Sequence, residues 1–247
     1  MSDRPRILLC PQFTELEWVI APQLEQWADV ATFDAPGVGL EPVPEEGLER
    51  IDREIVVERA LEEVDRRGWD SYFVLGDAFG TPTAARVAKA RPAAVLGIAL
   101  GHAAPHLGME GDRAPVNGEL CAAMTQLLRS DYDAFKHGIT QFTQGGFDEE
   151  RAAAMVERLP DDVDVAVRAW QMNLEESNPV AEVLGALGVP LLLAKHEGCL
   201  VFSAEGYEDA VAALPSARTL SVEKTCGASP EFAQALRAFC GEVLSAT

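Results

Sequence analysis

Val74-Leu75-Gly76-Asp77-Ala78-Phe79-Gly80-Thr81 is the stretch that decides the fold. An apolar run at residues 71–75 predicts a strand, and residues 81–90 predict a helix, with almost nothing between them. Glycines stand two positions before and two positions after Ala78. A chain that turns this sharply from strand to helix needs small residues on both sides, and the side chain at the corner then projects outward.

The same alternation extends in both directions. Residues 6–9 and 30–33 predict strands, 17–27 a helix, and 48–67 a helix with Ile51, Ile55, Ala60, Leu61 and Val64 on one face. Residues 94–100 predict a further strand. From about Pro115 the strand signal stops and helices are expected at 116–129, 131–142, 148–159 and 161–173. The alternation resumes with strands at 190–194 and 218–222 and helices at 206–214 and 230–244. Strands alternating with helices imply βαβ units and a mostly parallel α/β sheet covered on both faces. The expected organisation is a core of residues 1–114 and 177–247, interrupted by a helical insertion at 115–176.

Composition narrows the function classes. The 247 residues carry 40 acidic and 20 basic side chains, a formal charge of −20. A binder that neutralises phosphates is excluded by that balance, and an anionic membrane surface is disfavoured. Residues 1–70 hold 17 acids and 7 bases (7 − 17 = −10), most of the acids within residues 41–65. Such a run reads first as a solvated helix face, and second as a docking surface for a basic partner. No apolar run is long enough to span a membrane. The five cysteines are scattered without a C-x-x-C, as expected of reduced thiols in a cytoplasmic protein. The partner expected is a small molecule, with a homodimer left open.

The corner and its flanks resemble the α/β-hydrolase superfamily over nearly the whole chain. Gly76-Asp77-Ala78-Phe79-Gly80 resembles the G-x-S-x-G nucleophile elbow. Cys10-Pro11-Gln12-Phe13 stands where that family has its first oxyanion loop. Asp34-Ala35-Pro36-Gly37-Val38-Gly39 is similar to its D-x-x-G-x-G segment. Residues 187–193 and 214–218 match the approaches to its last two strands. The resemblance implies that the helical insertion is a cap over an active site.

The chemistry departs from the family at all three triad positions. Ala78 has no nucleophilic atom. In Lys195-His196-Glu197-Gly198-Cys199 the residue nearest the expected acid is Gly198 or Cys199, and no histidine follows His196. A serine hydroxyl needs a base to become a nucleophile, so an ordinary Ser-His-Asp hydrolase is not expected. The candidate catalytic positions are Ala78, at the nucleophile's place, with His102 and His196 as bases. Oxyanion-type donors are the amides of Phe79 and Phe13, and Gln12, Asp77, Cys199 and Cys226 are candidate pocket residues. Phe13, Trp18, Phe79, Trp170 and Met172 are candidate lining. A metal site from His102, His106, His196 and Glu197 lacks a helical H-E-x-x-H pattern, so neither metal nor cofactor is expected. Cys199 and Cys226 read as buried, inert thiols.

The function expected is binding of a small, largely apolar carbonyl compound between cap and sheet. One alternative is an ester or lactone hydrolase whose serine has been replaced, leaving Ala78. The other is a regulatory protein acting through the acidic surface.

Overall fold

A computed structural model of the protein describes residues 4–10, 16–39, 41–104, 114–144, 153, 156–174, 180–223 and 229–246, with the backbone alone at 16–19 and 140–144. Six strands form one sheet: β1 (Arg6–Cys10), β2 (Asp29–Ala31), β3 (Tyr72–Asp77), β4 (Val95–Gly101), β5 (Leu191–His196) and β6 (Arg218–Val222). Their order is β2-β1-β3-β4-β5-β6, and every neighbouring pair is parallel. Parallel strands must be linked by crossovers, and helices supply them: α1 (Leu16–Leu24), α2 (Arg53–Arg66), α3 (Thr81–Ala90), α7 (Val180–Leu187) and α8 (Ala204–Ala213), while α9 (Pro230–Ala246) follows β6. Between β4 and α7 the chain forms α4 (Gly118–Ser130), α5 (Tyr132–Gln144) and α6 (Val163–Leu174).

Successive strand residues face opposite sides of the sheet, and the core divides accordingly. Leu8, Val74, Ile98 and Leu193 join α2, α3 and α7 on one face. Ile7, Leu9, Phe73, Leu75 and Leu192 join Ile20, Leu24, Phe232 and Phe239 on the other. Each fully buried Leu, Ile or Phe contributes about 1.5–3 kcal/mol.

Two expectations are corrected in detail. The helix expected at 48–67 is a short 3₁₀ turn, Leu48–Arg50, followed by α2. Asp52 divides them: its carboxylate accepts the Ile55 amide at 2.9 Å, capping a new helix instead of continuing the old one. Strand β3 also runs two residues past Leu75, which carries Asp77 to the edge of the sheet. The helix expected at 148–159 lies largely outside the described residues.

Order 2-1-3-4-5-6 reverses direction between β1 and β3, and such sheets bind ligands beyond the carboxyl ends of their strands. Asp77 pairs with Gly101 in register, and Gly101 with Ala194, so the ends of β3, β4 and β5 lie side by side.

Candidate active site

The corner after β3 is as tight as the sequence implies. Ala78 has φ 49°, a left-handed conformation that an L-residue adopts at a cost. A Cβ at Gly76 would lie 2.8 Å from the Ala84 Cβ and 2.9 Å from the Gly80 carbonyl oxygen, so only glycine fits there. The Thr81 hydroxyl donates to the Ala78 carbonyl at 2.9 Å. Arg53, which the sequence did not single out, is buried beneath the corner. Its guanidinium donates to the Phe79 carbonyl and the Thr83 hydroxyl, each at 3.2 Å, and to Asn173 Oδ1 at 2.8 Å. Helix α6, which carries Asn173, is thereby tied to the elbow.

His102 follows directly on β4 and also has positive φ, 49°. Two left-handed non-glycine residues at adjacent strand ends are the pattern of backbone held to aim side chains. The His102 ring reaches across to β3, where Nδ1 lies 2.8 Å from Asp77 Oδ1, both side chains being more than nine-tenths buried. Nδ1 is thereby engaged. Nε2 is buried and has no hydrogen-bond partner among the described residues.

Cys199 comes to this histidine from β5. His196-Glu197-Gly198-Cys199 is a tight turn in which the Cys199 amide donates to the His196 carbonyl at 3.4 Å and Gly198 takes φ 74°. The following loop is fastened to residues 115–117: the Asn117 amide donates to the Val201 carbonyl at 2.8 Å, and the Ser203 amide to the Pro115 carbonyl at 2.9 Å. The Phe202 amide donates to Cys199 Sγ at 3.4 Å. As a result one donor atom each of His102, His196 and Cys199 lie within 4.8 Å of one another. With Nδ1 held by Asp77, Nε2 is the His102 nitrogen left for this cluster. The two imidazoles meet edge to face at 5.8 Å, and Phe202 packs 5.6 Å from His102.

The electrostatics follow from these contacts. Burial works against a charged His102, but the charge and hydrogen bond of Asp77, aided by Cys199, outweigh it and push the imidazole up to about 10. Burial raises the Cys199 thiol, yet His102 and the Phe202 and Val201 amides prevail and hold it below its ordinary value. This departs from the expected inert thiol. Burial, then the charge of His102, hold His196 below the usual imidazole range, against a hydrogen bond to the Glu223 carbonyl. Cysteine, two imidazoles and a backing carboxylate can support either an activated thiol or a metal ion. Both histidines and Cys199 line a cavity of about 140 Å³, with Phe202 and Tyr207 also in its wall.

Of the other expected site residues, Gln12, Phe13, Cys226 and His106 lie outside the described residues. Phe79 is buried in an apolar cluster, against Trp170 at 5.8 Å and Phe202 at 5.3 Å. Cys121, Met124, Phe135 and Val165 of the insertion join that cluster, as does Ala78. Met172 is a correction: it packs with Ala35, Val38, Ile55 and Val56, because α6 turns that face toward α2. On the acidic segment, Glu41, Asp52, Glu58, Glu62, Glu63 and Asp65 pair with arginines of the same chain. No helix among the described residues is long and apolar enough to cross a membrane.

No protein-family model and no curated protein sequence matches the chain. Solved structures do. The chain is similar to a bromoperoxidase from Bacillus anthracis at 14% identity and TM-score 0.80, covering 97% of this chain and 92% of that one. A hydrolase from Oleispira antarctica is matched at 12% identity and TM-score 0.80, over 98% and 92%. An enol-lactonase from Burkholderia xenovorans LB400 is matched at 16% identity and TM-score 0.73, over 99% and 92%. Identities this low carry the fold and nothing finer: the protein has the α/β-hydrolase fold.

Proposed function

We propose that the protein binds a small, largely apolar carbonyl compound at the carboxyl edge of the sheet, with residues 115–176 as its cap. We further propose that it cleaves an activated ester, thioester or lactone with Cys199 in place of the missing serine. His102 is the base and Asp77 its positioning group. The observation that carries this reading is the buried Asp77–His102 bond, with the Cys199 sulfur beside the free edge of the ring. It is the order of groups in a carboxylate–imidazole–thiol triad, displaced from the elbow by one and two strands.

The steps balance without a co-reactant. With the proton resting on His102 Nε2, the Cys199 thiolate bonds to the carbonyl carbon, and Nε2 gives that proton to the departing alkoxide or thiolate as the acyl–oxygen or acyl–sulfur bond breaks. Water, deprotonated by the same nitrogen, cleaves the thioester and restores the thiol. The chemistry requires a reduced thiol, as a cytoplasmic setting maintains, and Cys199 is a free cysteine.

A second reading, a serine lost from position 78, is favoured by the left-handed φ of Ala78, which preserves an elbow with nothing to present. One experiment separates the two. Aryl and short-chain thiol esters are assayed with the wild type, Cys199→Ser and Ala78→Ser. Turnover in the wild type that disappears in Cys199→Ser supports the thiol reading. Turnover gained only in Ala78→Ser supports the lost serine.

A further inference from the structure

We infer that His102, His196 and Cys199 form a binding site for a soft divalent cation of the zinc class, which on binding removes the Cys199 sulfur from reaction. Two imidazoles and a thiolate are a donor set that zinc prefers over the harder cations. The thiol triad uses His102 and Cys199 and gives His196 nothing to do. The geometry nevertheless brings His196 into the same cluster, edge to face with His102.

Each donor is also held from behind. Asp77 fixes His102 through Nδ1 at 2.8 Å, the Glu223 carbonyl accepts a hydrogen bond from the His196 ring, and the Phe202 amide donates to the Cys199 sulfur. Such outer partners fix ring orientation and donor strength at metal sites. His102 Nε2, buried and without a hydrogen-bond partner among the described residues, is the group a cation would satisfy. The donor atoms lie within 4.8 Å of one another. Tetrahedral bonds of about 2.0–2.3 Å set donor atoms about 3.3–3.6 Å apart, so the widest separation has to close by at most about 1.5 Å. His196 and Cys199 are three residues apart on one turn, so a small rotation there achieves it. The adjoining 140 Å³ cavity leaves room for a water molecule or small anion as fourth ligand.

Binding replaces the single proton carried by either Cys199 Sγ or His102 Nε2 with a metal–sulfur bond and releases it to the buffer, with no change in oxidation state. The inference goes beyond the proposed hydrolysis, because cation binding has its own readout and holds whether or not Cys199 attacks a carbonyl.

The test is a titration of the full-length, chelator-treated protein with Co²⁺ alone, followed by absorption, and then with Zn²⁺ in competition. One equivalent of Co²⁺ is expected to give tetrahedral ligand-field bands and a thiolate-to-cobalt charge-transfer band, both erased by Zn²⁺. Cys199→Ser is expected to lose the charge-transfer band, and His196→Ala to weaken binding at least tenfold. Asp77→Asn should weaken it about 10–100-fold. Cys121→Ser, which alters a buried thiol elsewhere, should change nothing. His196→Ala truncates a partly exposed side chain at the last residue of β5, so it reports on binding even where Asp77→Asn proves unstable. Absence of a charge-transfer band in the wild type, or undiminished binding in His196→Ala, overturns the inference.

Discussion

Asp77 and His102 stand at the ends of neighbouring parallel strands with Oδ1 and Nδ1 2.8 Å apart, buried from solvent. A carboxylate can only accept, so Nδ1 carries a proton in either charge state of the ring, and Nε2 is the nitrogen left to exchange a proton with Cys199. The relationship sets the tautomer of the candidate base, as well as its orientation.

Asp77→Asn tests that role. An amide can donate to Nδ1 and favour the opposite tautomer, leaving Nε2 protonated and unable to accept. Turnover of an activated ester is expected to fall by about two to four orders of magnitude with the fold intact. Steady-state kinetics alongside circular dichroism measures both. An unchanged kcat would show that the pair is structural only.

The thiols should differ in reactivity. Burial pushes Cys121 up to about 11 and Cys240 up to about 12, whereas Cys199 is held below its ordinary value by its neighbours. The thiolate is the reactive form, so iodoacetamide at neutral pH is expected to modify Cys199 well before the other two in native protein. Peptide mass mapping of a time course reads the order. Equal labelling of Cys199 and Cys121 would remove the basis for an activated thiol.

Much of the fold was legible because parallel, doubly covered strands are continuous apolar runs, and β1, β3, β4 and β5 appear as such in the sequence. The corner was legible too, since Gly76 is imposed by the closeness of Ala84 and Gly80. The site was legible only in pieces. Asp77, His102 and Cys199 were each singled out, but register decides that Asp77 faces His102, and a four-residue turn decides that Cys199 joins them. Neither leaves a local pattern. Arg53 was hidden for a related reason: it reads as one more charge on an amphipathic helix, and only the packing of α6 shows what it holds.

Stability should depend on alkaline pH in the metal-free protein. His102 is raised from an ordinary 6.5 to about 10 in the fold. Its contribution is therefore complete below about pH 6.5 and is lost as pH rises through about 10. Urea midpoints are expected to fall between pH 7 and 10 in the wild type, and to fall less in Asp77→Asn. Parallel curves for the two proteins would contradict the assignment.

Arg53→Ala is expected to destabilise the protein by about 3 kcal/mol. It leaves the Phe79 carbonyl, the Thr83 hydroxyl and the Asn173 side chain short of a buried donor, each costing about 1 kcal/mol. Urea denaturation measures the loss. A change below about 0.5 kcal/mol, the range of ordinary surface substitutions, would show that the guanidinium is dispensable.

The central claim is that Cys199, and not the residue at the elbow, carries the acyl group. Intact-mass and peptide analysis after rapid quenching with an activated aryl ester tests it most directly. The account predicts one acyl adduct, on Cys199, absent from Cys199→Ser and slowed in Asp77→Asn. An adduct on another residue, or turnover with full activity in Cys199→Ser, would contradict it.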